Sequence, residues 1–151
     1  MRKTVAVACA LIERDGLILA ARRSAAMAMP RKWEFPGGKI EAGESPEESL
    51  RREIREELGV EIAIAGALPP STHDYPALTV TLHPFLCALV AGEPVLHEHE
   101  AVVWLPPERL GELDWAEADL PVLAEYRRRR GRGLEECANA GTRQASHEER
   151  P

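Results

Sequence analysis

Residues 38–60 read Gly38-Lys39-Ile40-Glu41-Ala42-Gly43-Glu44-Ser45-Pro46-Glu47-Glu48-Ser49-Leu50-Arg51-Arg52-Glu53-Ile54-Arg55-Glu56-Glu57-Leu58-Gly59-Val60. The spacing predicts a helix with both ends marked. Ser45 can cap it, Pro46 suits the first helical position, and Glu48 completes a capping box. Gly59 is placed to stop it. Leu50, Ile54 and Leu58 recur every four residues and form the buried stripe. Glu53, Glu56 and Glu57, three and four positions apart, share a second face roughly 100° from that stripe. These carboxylates therefore border the core, where three like charges repel one another. Hard cations with oxygen ligands, Mg²⁺ or Mn²⁺, would turn that repulsion into binding. Gly37-Gly38, without side chains, can bring backbone groups to the same place.

Working outward, residues Thr4 to Leu11 form an apolar, β-permissive run expected to be a strand buried on both faces. Asp15-Gly16 signals a hairpin into Leu17-Ile18-Leu19-Ala20. Residues 24–31 read as a loop, and Trp33-Glu34-Phe35 as a short strand stopped by Pro36-Gly37-Gly38. Val60 to Leu68, Leu78 to Val90 and Val102 to Leu105 read as strands, and Pro106 to Leu110 as a helical turn. A last helix is expected from about Asp119 to Arg130, with Leu120, Leu123 and Tyr126 or Ala124 on its inner side. The order of elements predicts an α+β fold, helices packed on a mixed sheet, in one domain over residues 1–132. Residues 133–151 lose the apolar spacing and read as a disordered, dispensable tail.

The totals exclude several classes. The net charge of -6 offers no general field for a nucleic-acid polymer. Nothing in the sequence is long and apolar enough to be a membrane-spanning helix. Cys9, Cys87 and Cys137 are odd in number and widely spaced, which argues against a disulfide framework or a zinc site and for a reducing cytoplasm. A single domain of this kind would work as a monomer or small homo-oligomer.

The stretch 38–60 resembles the Nudix box: Gly38, Glu44, Arg52, Glu53, Ile54, Glu56, Glu57, Gly59 and Val60 fill its specified positions. The resemblance implies the Nudix fold, an α/β/α sandwich around a mixed β-sheet, and hydrolysis of a nucleoside diphosphate linked to another group. It makes Glu53, Glu56 and Glu57 metal ligands, with a carbonyl from Gly37 or Gly38. Arg52 would hold the acidic cluster by ion pairing, and Glu44 would support it from behind. Metals there would polarise phosphoryl oxygens and activate water.

Trp33-Glu34-Phe35-Pro36-Gly37-Gly38-Lys39 further resembles the approach to the box in MutT-like enzymes, which puts Glu34, Phe35, Pro36, Gly37 and Lys39 on the substrate side. Arg22-Arg23 also matches that subgroup and gives Arg23 to substrate phosphate, against the alternative of a solvated strand end. Lys39 is a second phosphate candidate. Phe35 suits either stacking on a base or a place in the core. His97-Glu98-His99-Glu100 pairs histidines with acids, but alternating loop positions make a poor zinc chelate. An acidic residue near here assists metal binding or water activation in related enzymes; Glu98 is the choice and Glu100 the rival. Asp119 resembles the place where relatives carry Asn or Asp facing the base, and it also suits a helix N-cap. Leu78 departs from relatives that carry a polar residue there.

The implied activity is conversion of a nucleoside triphosphate to monophosphate and pyrophosphate with Mg²⁺ or Mn²⁺. The leading substrate is 8-oxo-dGTP, so that the protein would sanitise the nucleotide pool. The alternatives are a CTP- or modified-dCTP-directed pyrophosphatase and a non-enzymatic binding module that keeps the scaffold. The intact glutamate set speaks against the last.

Overall fold

The computed structural model describes residues 2–131. The tail reading, 133–151, lies outside the described residues. The longest partnership pairs strands β1 (Lys3–Arg14) and β7 (Leu78–Ala91), which run parallel from Lys3↔Leu78 to Glu13↔Ala88. β2 (Leu17–Arg22) returns antiparallel from β1 through Asp15 and Gly16. Both turn residues have positive φ, 54° and 78°, as the tight hairpin signalled by Asp-Gly requires. β3 (Trp33–Glu34) and β8 (Ala101–Leu105) pair with β2, and β5 (Glu61–Ala67) pairs with β7. The sheet is mixed, with spatial order β3-β2-β1-β7-β5 along its main path.

Two short strands escaped the sequence pattern. β4 (Gly37–Lys39) pairs antiparallel with Val7, Ala8 and Cys9, so the Gly-Gly step expected to end a strand instead joins the sheet. β6 (Ser71–Asp74) adds to the first half of β7, with Thr72 and Thr81 hydroxyls 2.9 Å apart. Its four polar residues carry no apolar alternation to reveal it.

Alternating side chains of β1 feed two cores. Ala8, Ala10 and Ile12 pack with Leu50, Ile54 and Leu58 of α1 (Pro46–Leu58). Cys9 and Leu11 pack on the other face with Val122, Leu123 and Tyr126 of α2, helical residues 120–131. One helix on each face gives the α/β/α sandwich. Continuous burial in β1 runs only from Ala8 to Ile12, because Val5 and Val7 wall a cleft instead. In α2, Leu120 is 47% exposed while Val122 is buried. A 3-10 turn over Glu117–Asp119 precedes α2, and of the inner face expected from sequence Leu123 and Tyr126 are buried and Leu120 is not. Cys9 and Cys87 are buried free thiols, and among the described residues no helix is long and apolar enough to cross a membrane.

Candidate active site

α1 begins and ends as its sequence dictates. Ser45 accepts from the Glu48 amide and Glu48 accepts from the Ser45 amide, at 3.1 and 2.8 Å. Gly59 closes the helix with φ 69° and its N–H on Arg55 O. Leu50, Ile54 and Leu58 are each fully buried. With that stripe fixed against the sheet, Glu53 and Glu57 are turned to the edge of the core. Glu57 is buried and its Oε1 has no hydrogen-bond partner among the described residues. Burial, then the charges of Glu34, Glu53 and Glu98, push the Glu57 carboxyl up to about 9. Burial also raises Glu53, against the opposing pull of Arg52, and Glu56 and Glu98 add to the rise.

Arg52 organises the acidic face. Its guanidinium donates twice to Glu44, Nε to Oε2 at 2.8 Å and Nη2 to Oε1 at 3.0 Å. It also donates to Glu53 Oε2 at 3.0 Å and lies 3.5 Å from Glu56 Oε1. The Arg52 hydrogen bonds hold Glu44 below the usual carboxylate range. Ser49 Oγ donates to Lys39 O at 2.8 Å, which ties α1 to β4. That tie brings glycine backbone against the cluster: a Cβ on Gly38 would lie 2.3 Å from the Glu53 carboxyl carbon.

β4 lies in the ladder with Ala10 N–H on Pro36 O and Ile40 N–H on Ala6 O. Antiparallel alternation then assigns Gly38 to Ala8 and turns the Gly37 carbonyl away from β1. Pro36 is buried with its carbonyl already engaged, so it spaces the strand and offers no substrate contact, contrary to its expected place.

The second half of the site lies beside the first. Glu34 uses both oxygens: Oε1 is 2.6 Å from Arg23 Nη1 and Oε2 is 2.7 Å from His99 Nε2. Arg23 also donates through Nε to Ala28 O, so it is held in the cleft and is not a solvated strand end. The segment 114–116 runs alongside β3, with Trp33 N–H on Asp114 O and Ala116 N–H on Trp33 O. It delivers Asp119, which is buried and accepts from the Phe35 amide at 2.9 Å through Oδ2. Among the described residues its side chain makes no capping bond to α2. Burial, then the charge of Glu34, pushes the Asp119 carboxyl up to about 8, which favours its protonated form near neutral pH. Phe35 itself is buried, its ring 4.6 Å from that of Trp115. It belongs to the core, and it serves the site through its N–H and not through a stacking face.

These groups line two adjoining hollows. One, of about 180 Å³, is bordered by Glu57, Gly37, Gly38, Arg23, Glu34 and Asp119. The other, of about 350 Å³, shares Arg23, Glu34, Lys39 and Asp119 and extends between Tyr75, Leu78, Val80 and Met29. A larger hollow of about 490 Å³ opens at the far end of β1 beside Glu13, Asp15 and Arg130. No motif residue reaches it, so size alone does not mark the site.

Sequence reasoning missed Tyr75 and weighed His99 only as a metal ligand. The Tyr75 hydroxyl accepts from the Ala118 amide at 2.9 Å beside Asp119. Neither belongs to the box, and His99 meets Glu34 across 65 residues of chain.

Among the described residues the acids do not close into a three-ligand cage. The set is open, and Mg²⁺ keeps several waters and takes only one or two carboxylates in such sites. A buried carboxylate oxygen without a partner, beside two more carboxylates, fits a hard divalent cation.

The NUDIX domain model matches residues 2–126. The chain is 38% identical over 124 residues to the CTP pyrophosphohydrolase of Escherichia coli K12, covering 82% of this chain and 92% of that protein. It is 33% identical over 127 residues to the 8-oxo-dGTP diphosphatase of the same organism, covering 83% and 98%. The solution structure of the E. coli ORF135 protein superposes with a TM-score of 0.74 at 37% identity, covering 85% of this chain and 92% of that one. With the box complete on a helix edge and the sandwich around it, the chain belongs to the Nudix hydrolase family.

Proposed function

We propose that this protein is a metal-dependent nucleoside triphosphate pyrophosphohydrolase that releases a monophosphate and pyrophosphate, with 8-oxo-dGTP as its leading substrate. The observation that carries this reading is one continuous cleft. Glu57, at the edge of the glutamate cluster, borders one end, and the buried Asp119 lies between that end and an apolar hollow large enough for a base. Glu53, Glu56, Glu57 and the outward Gly37 carbonyl would hold Mg²⁺ or Mn²⁺. When bound, the metal neutralises triphosphate charge and lowers the pKa of the attacking water. Arg52 keeps the glutamates together through Glu44, and Arg23 and Lys39 face the phosphates. Glu98, exposed and unpaired among the described residues, is the auxiliary carboxylate. Glu100 is engaged by Arg22 and Arg31.

A protonated Asp119 would present Oδ1–H as donor and, beside it, the lone pair of Oδ2 that the Phe35 amide leaves free as acceptor. The O6 and N7–H edge of 8-oxoguanine complements that pair. Unmodified guanine has acceptors at both positions and leaves one group unpaired. The N3 and N4–H₂ edge of cytosine also complements it, so a CTP-directed activity is the second reading, favoured by the 38% identity to a CTP pyrophosphohydrolase. The test is kcat/KM for 8-oxo-dGTP, dGTP and CTP with Mg²⁺ at low concentration. A preference of tenfold or more for 8-oxo-dGTP over dGTP is expected, since an unpaired buried polar group costs on the order of 1–3 kcal/mol. Equal values would remove Asp119 as a base reader.

Substitutions at Asp119 separate reading from support. Asp119→Ala is expected to erode the base preference at least about tenfold. If only the melting temperature falls, Asp119 serves solely as the acceptor for Phe35. Asp119→Asn keeps a donor and an acceptor without a titration. In the metal-free wild type the raised Asp119 pKa means that its proton stabilises the fold fully below about pH 4 and that this contribution is lost as pH rises to about 8. The Asn variant is therefore expected to show a shallower fall in Tm between pH 5 and about 8, followed by thermal melts in parallel with the wild type.

A further inference from the structure

We propose that His97 and His99 are positioning residues that hold Glu98 toward the glutamate cluster, one by anchoring its segment to α1 and the other by anchoring it to Glu34. The segment after β7 is a connection with no regular structure, and its grip on the protein comes from a few specific bonds. Val95 N–H donates to Leu58 O at 2.9 Å. His97 Nδ1 lies 2.8 Å from Glu56 O, and a carbonyl only accepts, so Nδ1 carries the hydrogen. Both bonds use carbonyls at the C-terminal end of α1 that the helix leaves free.

On the other side of Glu98, the His99 side chain is fully buried with Nε2 2.7 Å from Glu34 Oε2. Its Nδ1 is buried without a partner among the described residues, where the ring is fixed by one polar contact plus packing. Glu100 N–H then donates to Arg22 O at 3.0 Å, and its carboxylate is taken by Arg22 and Arg31.

Glu98 is thus bracketed by anchored neighbours while its own side chain is exposed and makes no hydrogen bond or ion pair among the described residues. Its charge is nonetheless felt at Glu53 and Glu57, where it adds to the upward push on both carboxyls. Glu34 completes the link. The same carboxylate holds Arg23, on the phosphate side of the cleft, and His99, beside the auxiliary acid. Two parts of the site that come from distant stretches of chain are registered on one residue. Without the two rings, Glu98 would ride on a connection free to shift by an ångström or more, a displacement sufficient to cost about a hundredfold in rate.

The inference rests on the assignment of Glu98 as the auxiliary carboxylate, and the experiment separates the two. It measures kcat and KM for Glu98→Gln, His97→Ala, His99→Leu, His99→Gln and the doubles with Glu98→Gln, together with amide exchange over residues 95–100 in metal-free protein. His97 is exposed, so His97→Ala tests the idea without burdening the core. Glu98→Gln is expected to lower kcat at least about tenfold at similar KM, and His97→Ala and His99→Leu to do the same. Adding Glu98→Gln to either is expected to cost no more than about threefold further, because the variants remove one function. His99→Gln can place an N–H near the former Nε2 and should recover most of the loss. Exchange over 95–100 should quicken at least about tenfold in His97→Ala. If Glu98→Gln alone is harmless, the Glu98 assignment fails and takes the inference with it. If Glu98→Gln is impaired but the histidine variants turn over normally, or the doubles are fully additive with unchanged exchange, the positioning role is overturned and the assignment stands.

Discussion

Glu57→Gln is expected to lower kcat by at least about a hundredfold, as is Glu53→Gln, without unfolding the protein. The amide keeps the shape of the side chain and removes the charge that would bind a cation. The effect on stability should run opposite to the effect on activity. Glu57 is buried with an oxygen that has no partner, and burial has raised its carboxyl to about 9. At neutral pH the folded wild type must take up a proton that the unfolded chain has released, a cost that a neutral amide does not carry, so the metal-free variant should melt at or above the wild-type temperature. Millimolar Mg²⁺ or Mn²⁺ should raise the Tm of the wild type, because the ion binds the folded state, and should raise that of Glu57→Gln far less. Near-normal turnover in both variants would remove these glutamates from the metal site.

The neighbouring glycines of β4 should fail in different ways. A Cβ on Gly38 would meet the Glu53 carboxyl at 2.3 to 2.7 Å, the far end of a side chain that can swing aside. Gly38→Ala should therefore fold, displace Glu53, and lose about a hundredfold in kcat, since a misplaced group of this kind costs that much. A Cβ on Gly37 would lie 1.9 Å from Ala8 O, a backbone atom in the middle of the sheet. It cannot move without parting β1 from β4. Gly37→Ala should cost about 3 kcal/mol or more of stability, read as a loss of Tm, whatever its effect on rate. Equal, small effects at both positions would mean that β4 does not sit against β1 and α1 as described.

What the sequence made legible was local. The cap, stop and leucine stripe of α1 depend on residues within four positions of one another, and each lies where its chemistry puts it. The Asp15-Gly16 turn is of the same kind. The parts that were illegible depend on distant partners. Gly37-Gly38 reads as a strand stop because glycine weakens strands, yet here the missing side chains are what allow β4 to lie against Ala8 on one side and Glu53 on the other. Asp119 looks like a helix cap by spacing, but the Phe35 amide, 84 residues away in sequence, claims its oxygen. Phe35 reads equally as a stacking ring or a core ring until Trp115 is seen against it. His97 and His99 alternate in a way that reads as a poor metal chelate, and spacing gives no sign that they anchor to Glu56 and Glu34, in two different elements. The pairing of Glu100 with Arg22 and Arg31, which favours Glu98 as the auxiliary acid, is likewise revealed by no spacing rule.

At the glutamate edge and the cleft beside it, a triphosphate is expected to be cut between its first and second phosphorus atoms. Hydrolysis of 8-oxo-dGTP and CTP in ¹⁸O-labelled water with Mg²⁺, with products identified by mass, tests it most directly. The expected result is monophosphate and pyrophosphate in equal amounts, one of them carrying a single label, with no orthophosphate as a primary product and no turnover once the metal is chelated. Stoichiometric diphosphate and orthophosphate, or the same rate in the presence of chelator, would contradict it.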